Sequence, residues 1–368
     1  MTQSQESARH YARIRYRLLL VNLAASLAFL WIYQASGWSA ASAAWCAARA
    51  GSVWLVIAGY LLTFGTIQYA VFLPLHWYSS FTLEHRFGLS RMTAGAWLIR
   101  ECKQLVLGGL LSLVVFEGLY AILRAAPRHW PLIATAGWVL VSVVLARAFP
   151  TFIVPLFYKT TPLADDPLVK RLLALCERVN LPALGVFRVG LGAETRKANA
   201  ALAGIGRTRR VLLSDTLIEQ FTPAEIEGVL AHELGHFRFR HIPKFLVLST
   251  VGSLIAFALI DRASGWWIDR FALGGIADVA GFPMLMLMLS VLGVVSMPLQ
   301  NGISRYFEWQ CDRFAVATAS QPAEFASALE RLGSLNLADP NPPAWIEWMF
   351  YDHPAIAKRV AAARTASA

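Results

Sequence analysis

The sequence predicts a mostly α-helical multi-pass membrane protein of about six spans, carrying a small cytosolic α+β lobe that contains a β-hairpin. Three observations predict it. Of 368 residues, 57% are hydrophobic and 15% charged, and the mean hydropathy is +0.50, too apolar for an ordinary soluble protein of this size. Six apolar runs, near residues 18–33, 53–75, 105–123, 131–158, 245–260 and 282–299, approach the roughly 20 residues that cross about 30 Å of hydrocarbon. Basic residues gather on alternate connections: Arg9, Arg13, Arg15 and Arg17 precede the first run, and Arg86, Arg91, Arg100 and Lys103 lie between the second and third. Lys and Arg concentrate in this way on cytoplasmic loops.

With six spans, this bias puts both ends of the chain and the polar segment 159–241 in the cytoplasm. The first run follows an Arg-rich leader and soon meets another span, so it does not read as a cleaved signal. The same bias accounts for the net charge of +10, and nucleic acid is not an expected partner. Cys46, Cys102, Cys176 and Cys311 have no paired spacing and read as packing residues.

Residues 1–158 therefore form an expected membrane domain with four spans, and 159–368 a second domain. In the latter, Asp165 and Asp166 cap a helix running to about Val179, with Leu168, Leu172, Leu173 and Leu175 at helical spacing. A strand is expected over 184–189. A hairpin follows, with strands 198–203 and 209–214 joined at Gly204-Ile205-Gly206. Thr222-Pro223-Ala224-Glu225 is a capping box with Pro at the first helical position. The helix it opens should end near Pro243, where proline cannot continue the ladder. After two spans, a continuing helix carries Glu308 and Asp312, and an amphipathic helix covers 322–335 before the turn at Pro340 to Pro343.

The chemistry centres on His232-Glu233-Leu234-Gly235-His236. Two imidazoles four residues apart share one helical face and can bind one zinc. Glu233, beside that face, is placed as a general base toward a water that the metal acidifies to a pKa near 7. A catalytic zinc usually takes three protein ligands, and the short extension supplying a third histidine is missing. Glu308 on a second helix can supply the third ligand, with Asp312 one turn on accepting a hydrogen bond from a ligand imidazole. The competing reading of Glu308 and Asp312 is a solvated acidic face at a helix end.

His-Glu-Leu-Gly-His with a downstream Ser304-Arg305-x-x-Glu308-x-x-x-Asp312 resembles the integral-membrane gluzincins that include the type I CAAX prenyl proteases. The resemblance spans nearly the whole chain. It takes in Phe87 to Ser90 with Thr93 and Gly95, Pro150 to Phe157, Asn199-Ala200 with Gly204, Arg210 to Leu217, and Asp352-His353-Pro354 with Arg359, where Asp352 stands in place of the usual Ser. It implies a zinc metalloendopeptidase with one Zn2+ per chain, held by His232, His236 and Glu308, with Glu233 as base. It further implies that His353 stabilises the oxyanion with support from Arg359, and that Asn199 and Ala200 hold an extended substrate on an edge strand. Substrates would be peptides or proteins, prenylated C-termini among them. The expected location of this bacterial-like form is an inner membrane, with the site facing the cytoplasm. Eukaryotic members carry an additional N-terminal span and a longer insertion before the zinc helix.

Three other readings remain open at this stage. One is a quality-control protease for membrane or misfolded proteins. Another is a transporter, against which stands the scarcity of ionisable residues within spans, Glu117 and Arg147 alone being clear. The third is an inactive zinc scaffold, in which a retained Glu233 would have no use.

Overall fold

The computed structural model describes residues 3–163, 167–181, 185–203 and 210–367. The caps Asp165 and Asp166, residue Leu184 and the hairpin turn at 204–209 lie outside the described residues. The first half is helical: α1 (Gln3–Ala35), α2 (Trp38–Ala47), α3 (Val53–Trp77), α4 (Leu83–Arg86), α5 (Ala94–Ala125), α6 (Trp130–Ala148) and α7 (Val154–Phe157). Then come β1 (Thr160–Pro162), α8 (Pro167–Arg178), β2 (Val186–Val189), β3 (Ala200–Ala203), β4 (Arg210–Ser214) and α9 (Asp215–Gln220). The chain finishes with α10 (Pro223–Arg238), α11 (His241–Arg270), α12 (Phe282–Thr318), α13 (Pro322–Leu335), α14 (Ala344–Phe350) and α15 (Ile356–Ser367).

Among the described residues, six helical stretches are long and apolar enough to cross a membrane, from Glu6–Ala35 to Val279–Thr318. Five of them contain one of the apolar runs whole, and the fourth, Trp130–Phe157, covers its run up to the last residue. Large apolar side chains such as Leu62, Val114, Leu140, Val247 and Val295 stand exposed on them, as expected where lipid rather than water is the neighbour. The fourth run is not one regular helix. Between α6 and α7 the residues Phe149–Ile153 form a π turn, at the point where Pro150 has no N–H to give to the helical ladder.

The sheet is wider than a hairpin. Its order is β1-β2-β4-β3, with β2 and β4 parallel and the outer pairs antiparallel. That order leaves β3 at an edge. The core beneath joins Leu172 and Leu175 of α8, Val211 and Leu213 of β4, Ile226, Leu230 and Leu234 of α10, and Phe325 of α13.

Helix α10 starts as expected. The Thr222 hydroxyl accepts from the Glu225 N–H at 3.2 Å, and the Glu225 carboxylate accepts from the Thr222 N–H at 2.8 Å. Its end differs: α10 stops at Arg238, and Arg240 takes a left-handed conformation (φ 55, ψ 44) that turns the chain into α11. Pro243 falls in the first turn of α11, where a missing N–H costs nothing, so it helps to start a helix rather than end one.

Gly235 decides how α10 meets α12. A Cβ at this position would lie 3.0 Å from both Cα and Sγ of Cys311, so only glycine permits the approach. Gly235→Ala is therefore expected to overpack this contact and lower stability by about 1–3 kcal/mol, measurable as a fall in the thermal unfolding midpoint of the detergent-solubilised protein. Cys311 lies three residues past Glu308, and the same close approach brings Glu308 to the histidines.

Candidate metal centre and active site

Two rings on α10 face one carboxylate on α12. His232 Nε2 is 3.2 Å from Glu308 Oε2, and His236 Nε2 is 3.2 Å from Glu308 Oε1. The imidazole planes stand at 77° to one another, 5.2 Å apart. The three side chains offer ligand atoms within 4.8 Å of one another. Neighbouring donors of a tetrahedral zinc with bonds of about 2.0–2.1 Å lie about 3.3 Å apart, close to both measured separations.

One atom shows what the cluster lacks. Glu308 Oε2 is buried and, among the described residues, has no well-aligned hydrogen bond, although His232 Nε2, His353 Nε2 and Arg359 Nη2 lie 3.2, 3.3 and 3.6 Å away. A buried carboxylate oxygen without a well-aligned hydrogen bond is costly, and a cation between these donors would satisfy it. Burial favours the neutral ring of His232. The facing carboxylates of Asp312 and Glu308 outweigh that effect and push its pKa up to about 9. The pocket favours positive charge at this point, and the residues present fit a metal ion.

Behind His232, the partners are charged and locked. His232 Nδ1 is 2.8 Å from Asp312 Oδ1. Arg359 of α15 grips the same carboxylate twice, Nε to Oδ2 at 2.8 Å and Nη2 to Oδ1 at 2.6 Å. Sequence reasoning put Arg359 in support of His353. Its polar contacts run to Asp312, His232 and Glu308, and its Nη2 lies 3.6 Å from the same Glu308 Oε2 that His353 Nε2 approaches at 3.3 Å. Asp312→Ala would strand a buried guanidinium and free the His232 ring. Zinc affinity should fall by about 10- to 100-fold, as read by competition with a chromogenic chelator.

His353 sits in the loop between α14 and α15. Its side chain is half exposed, with Nε2 toward Glu308 and Nδ1 2.8 Å from Asp352 Oδ1. Burial opposes its charge, but Asp352 and Glu308 raise its pKa above the ordinary value. Residues to which the sequence assigned no role hold this loop, among them Arg305, quoted above only as part of the resemblance. Asn301 Nδ2 donates to the Met349 carbonyl at 2.7 Å, and Arg305 Nη1 donates to the Glu347 carbonyl at 2.9 Å. Glu347 accepts from Lys358 Nζ and from the Ala355 N–H. Asn301 and Arg305 lie seven and three residues before Glu308 on one helix, a spacing that could have pointed to them.

Glu233 is half-buried, and among the described residues its carboxylate has no hydrogen-bond or ion-pair partner. Asn199 is exposed at the start of β3. Its carbonyl accepts from the Ser214 N–H at 3.0 Å, and its own N–H donates to Ser214 Oγ. Backbone direction alternates along an antiparallel strand, so the next residue, Ala200, turns its N–H and carbonyl toward the free edge.

The helical membrane scaffold and this His-His-Glu cluster define a membrane metalloendopeptidase. Residues 162–367 match the model of Peptidase family M48, and residues 1–159 match that described as CAAX prenyl protease N-terminal, five membrane helices; within the latter range this chain has four long apolar helices and the shorter α2. The chain belongs to peptidase family M48. An uncharacterised metalloprotease, YhfN of Bacillus subtilis, is 26% identical over 96% of this chain and 84% of its own length. A CAAX prenyl protease 1 homolog of Oryza sativa is 30% identical over 79% of this chain and 69% of its own. The crystal structure of S. mikatae Ste24p superposes with a TM-score of 0.86 at 25% identity, covering 98% of this chain and 89% of that one.

Proposed function

We propose that this chain is a zinc endopeptidase holding one Zn2+ through His232, His236 and Glu308, and that it cleaves peptide bonds at the cytoplasmic face of a bacterial inner membrane. The observation that carries the proposal is the convergence of both imidazoles on the under-bonded Glu308 carboxylate. Bound there, zinc would act as a Lewis acid on the scissile carbonyl and acidify a water.

The chain's own residues supply the rest. Glu233, whose carboxylate has no partner among the described residues, accepts the proton of the attacking water and returns it to the leaving amine. His353 Nε2, raised in pKa and pointing into the cluster, donates to the oxygen on which negative charge develops. Asp312 and Arg359 fix the His232 ring. Ala200 offers its backbone to an extended substrate at the β3 edge, next to the exposed Asn199. In this proposal residues 1–158 form the four-span membrane domain and 159–368 the metalloprotease domain.

For substrate we propose C-terminal processing of prenylated peptides, a reading supported by the names of the relatives. The test is cleavage of matched peptides with and without a prenyl group by the purified enzyme. A strong preference for the prenylated peptide is expected; equal cleavage would move the substrate class to unmodified or misfolded proteins. Cysteine accessibility in intact cells tests the orientation, since Arg240 is expected on the cytoplasmic side and Asp278 on the other.

A further inference from the structure

His236 presents a second nitrogen away from the metal cluster. Its Nδ1 is 3.1 Å from Nδ1 of His241, the first residue of α11, which the left-handed Arg240 turns back toward α10. His241 is buried and stacked on Phe307 of α12, with centroids 4.1 Å apart and planes at 7°. Its Nε2 lies 3.0 Å from Gln310 Oε1. Gln310 is oriented in turn by its amide nitrogen, which donates to the Tyr306 hydroxyl at 3.1 Å.

One proton assignment satisfies this whole chain. An imidazole that binds metal through Nε2 keeps its proton on Nδ1, so His236 donates to His241 Nδ1. His241 then carries its own proton on Nε2 and donates it to Gln310 Oε1, leaving the Gln310 amide to donate to Tyr306. The opposite assignment puts the shared proton on His241 and leaves His236 Nδ1 bare, so that the His236 proton falls on Nε2, the nitrogen that the metal needs.

We propose that His241 is a positioning residue for His236: a neutral acceptor, held by Gln310, that fixes the tautomer and orientation of the second histidine ligand. The proposal rests on the reading of His236 as a ligand. The two histidines are thereby backed differently, His232 by an Asp312–Arg359 ion pair and His236 by an uncharged ring. His236, His241 and Cys311 also offer donors within 4.8 Å of one another, with Cys311 Sγ 3.6 Å from His241 Nδ1. The 3.1 Å nitrogen contact and the complete run of donors to Tyr306 favour a hydrogen-bonded relay over a second metal at this trio.

The experiment measures Zn2+ affinity and stoichiometry, and the visible spectrum after Co2+ replacement, in the wild type, His236→Ala, His241→Phe and His241→Asn. His241→Phe keeps the stack on Phe307 but removes the acceptor. Its Zn2+ dissociation constant should rise by about 10- to 100-fold, and the Co2+ bands should shift. His241→Asn, whose amide oxygen reaches near the lost Nδ1, should recover most of the affinity and the wild-type spectrum. Wild-type affinity and an unchanged spectrum in His241→Phe would overturn the proposal, as would failure of Asn to rescue or two Zn2+ per wild-type chain. A wild type without Zn2+, or full Zn2+ in His236→Ala, would instead refute the ligand reading beneath it. Should His241→Phe fail to fold, 15N shifts of the zinc-loaded wild type decide: a proton on His241 Nε2 with a bare Nδ1 supports the relay, and the reverse overturns it.

Discussion

Glu233→Gln is expected to keep its zinc and lose nearly all turnover. The amide matches the carboxylate in size and still hydrogen-bonds, but it cannot accept a proton from the attacking water. Loss of a general base costs at least about 10²-fold in rate. The half-buried Glu233 carboxylate has no hydrogen-bond or ion-pair partner among the described residues, so the substitution breaks no hydrogen bond or ion pair seen in the fold. Single-turnover cleavage with zinc measured on the same sample separates the two effects. His353→Ala offers a contrast, since one missing oxyanion donor lowers turnover by roughly 10² to 10³ while Glu233 continues to act as base. Normal turnover in zinc-loaded Glu233→Gln would remove this residue from the mechanism.

Glu308→Ala should have the largest effect on the metal. Glu308 is the only carboxylate that meets both His232 and His236 among the described residues, and its removal leaves two neutral nitrogens to hold a divalent cation. Zinc content of the purified variant should fall to background, and activity with it, at ordinary free zinc concentrations. His232→Ala and His236→Ala should do the same. Glu308 also pairs with His232, His236, His353 and Arg359 in the metal-free fold, so the thermal midpoint of the variant is compared with that of metal-free wild type to read loss of zinc and loss of fold apart.

Much of this was legible in the sequence, and the reasons differ by element. The six spans show because lipid demands long apolar runs, and α10 shows because a capping box is a local signal of four residues. His232 and His236 are legible for the same reason: one helix fixes their spacing. Span ends were not, since α11 continues through Asp261 to Arg270, with Asp261 accepting a hydrogen bond from Trp130 Nε1. Helical hydrogen bonding persists past the point where hydropathy falls. β1 was missed because three residues ending in proline carry no strand pattern, and it exists only through its pairing with β2, more than twenty residues on. The contacts of Arg359 with Asp312 and the close approach at Gly235 depend on helices distant in the chain, which no spacing within one element encodes.

The central claim is tested most directly by removing and restoring the metal. Purified wild-type protein should carry one zinc per chain and cleave a peptide substrate; dialysis against a chelator should abolish cleavage, and one equivalent of Zn2+ should restore it. Cleavage persisting in protein shown to be free of metal would contradict the account.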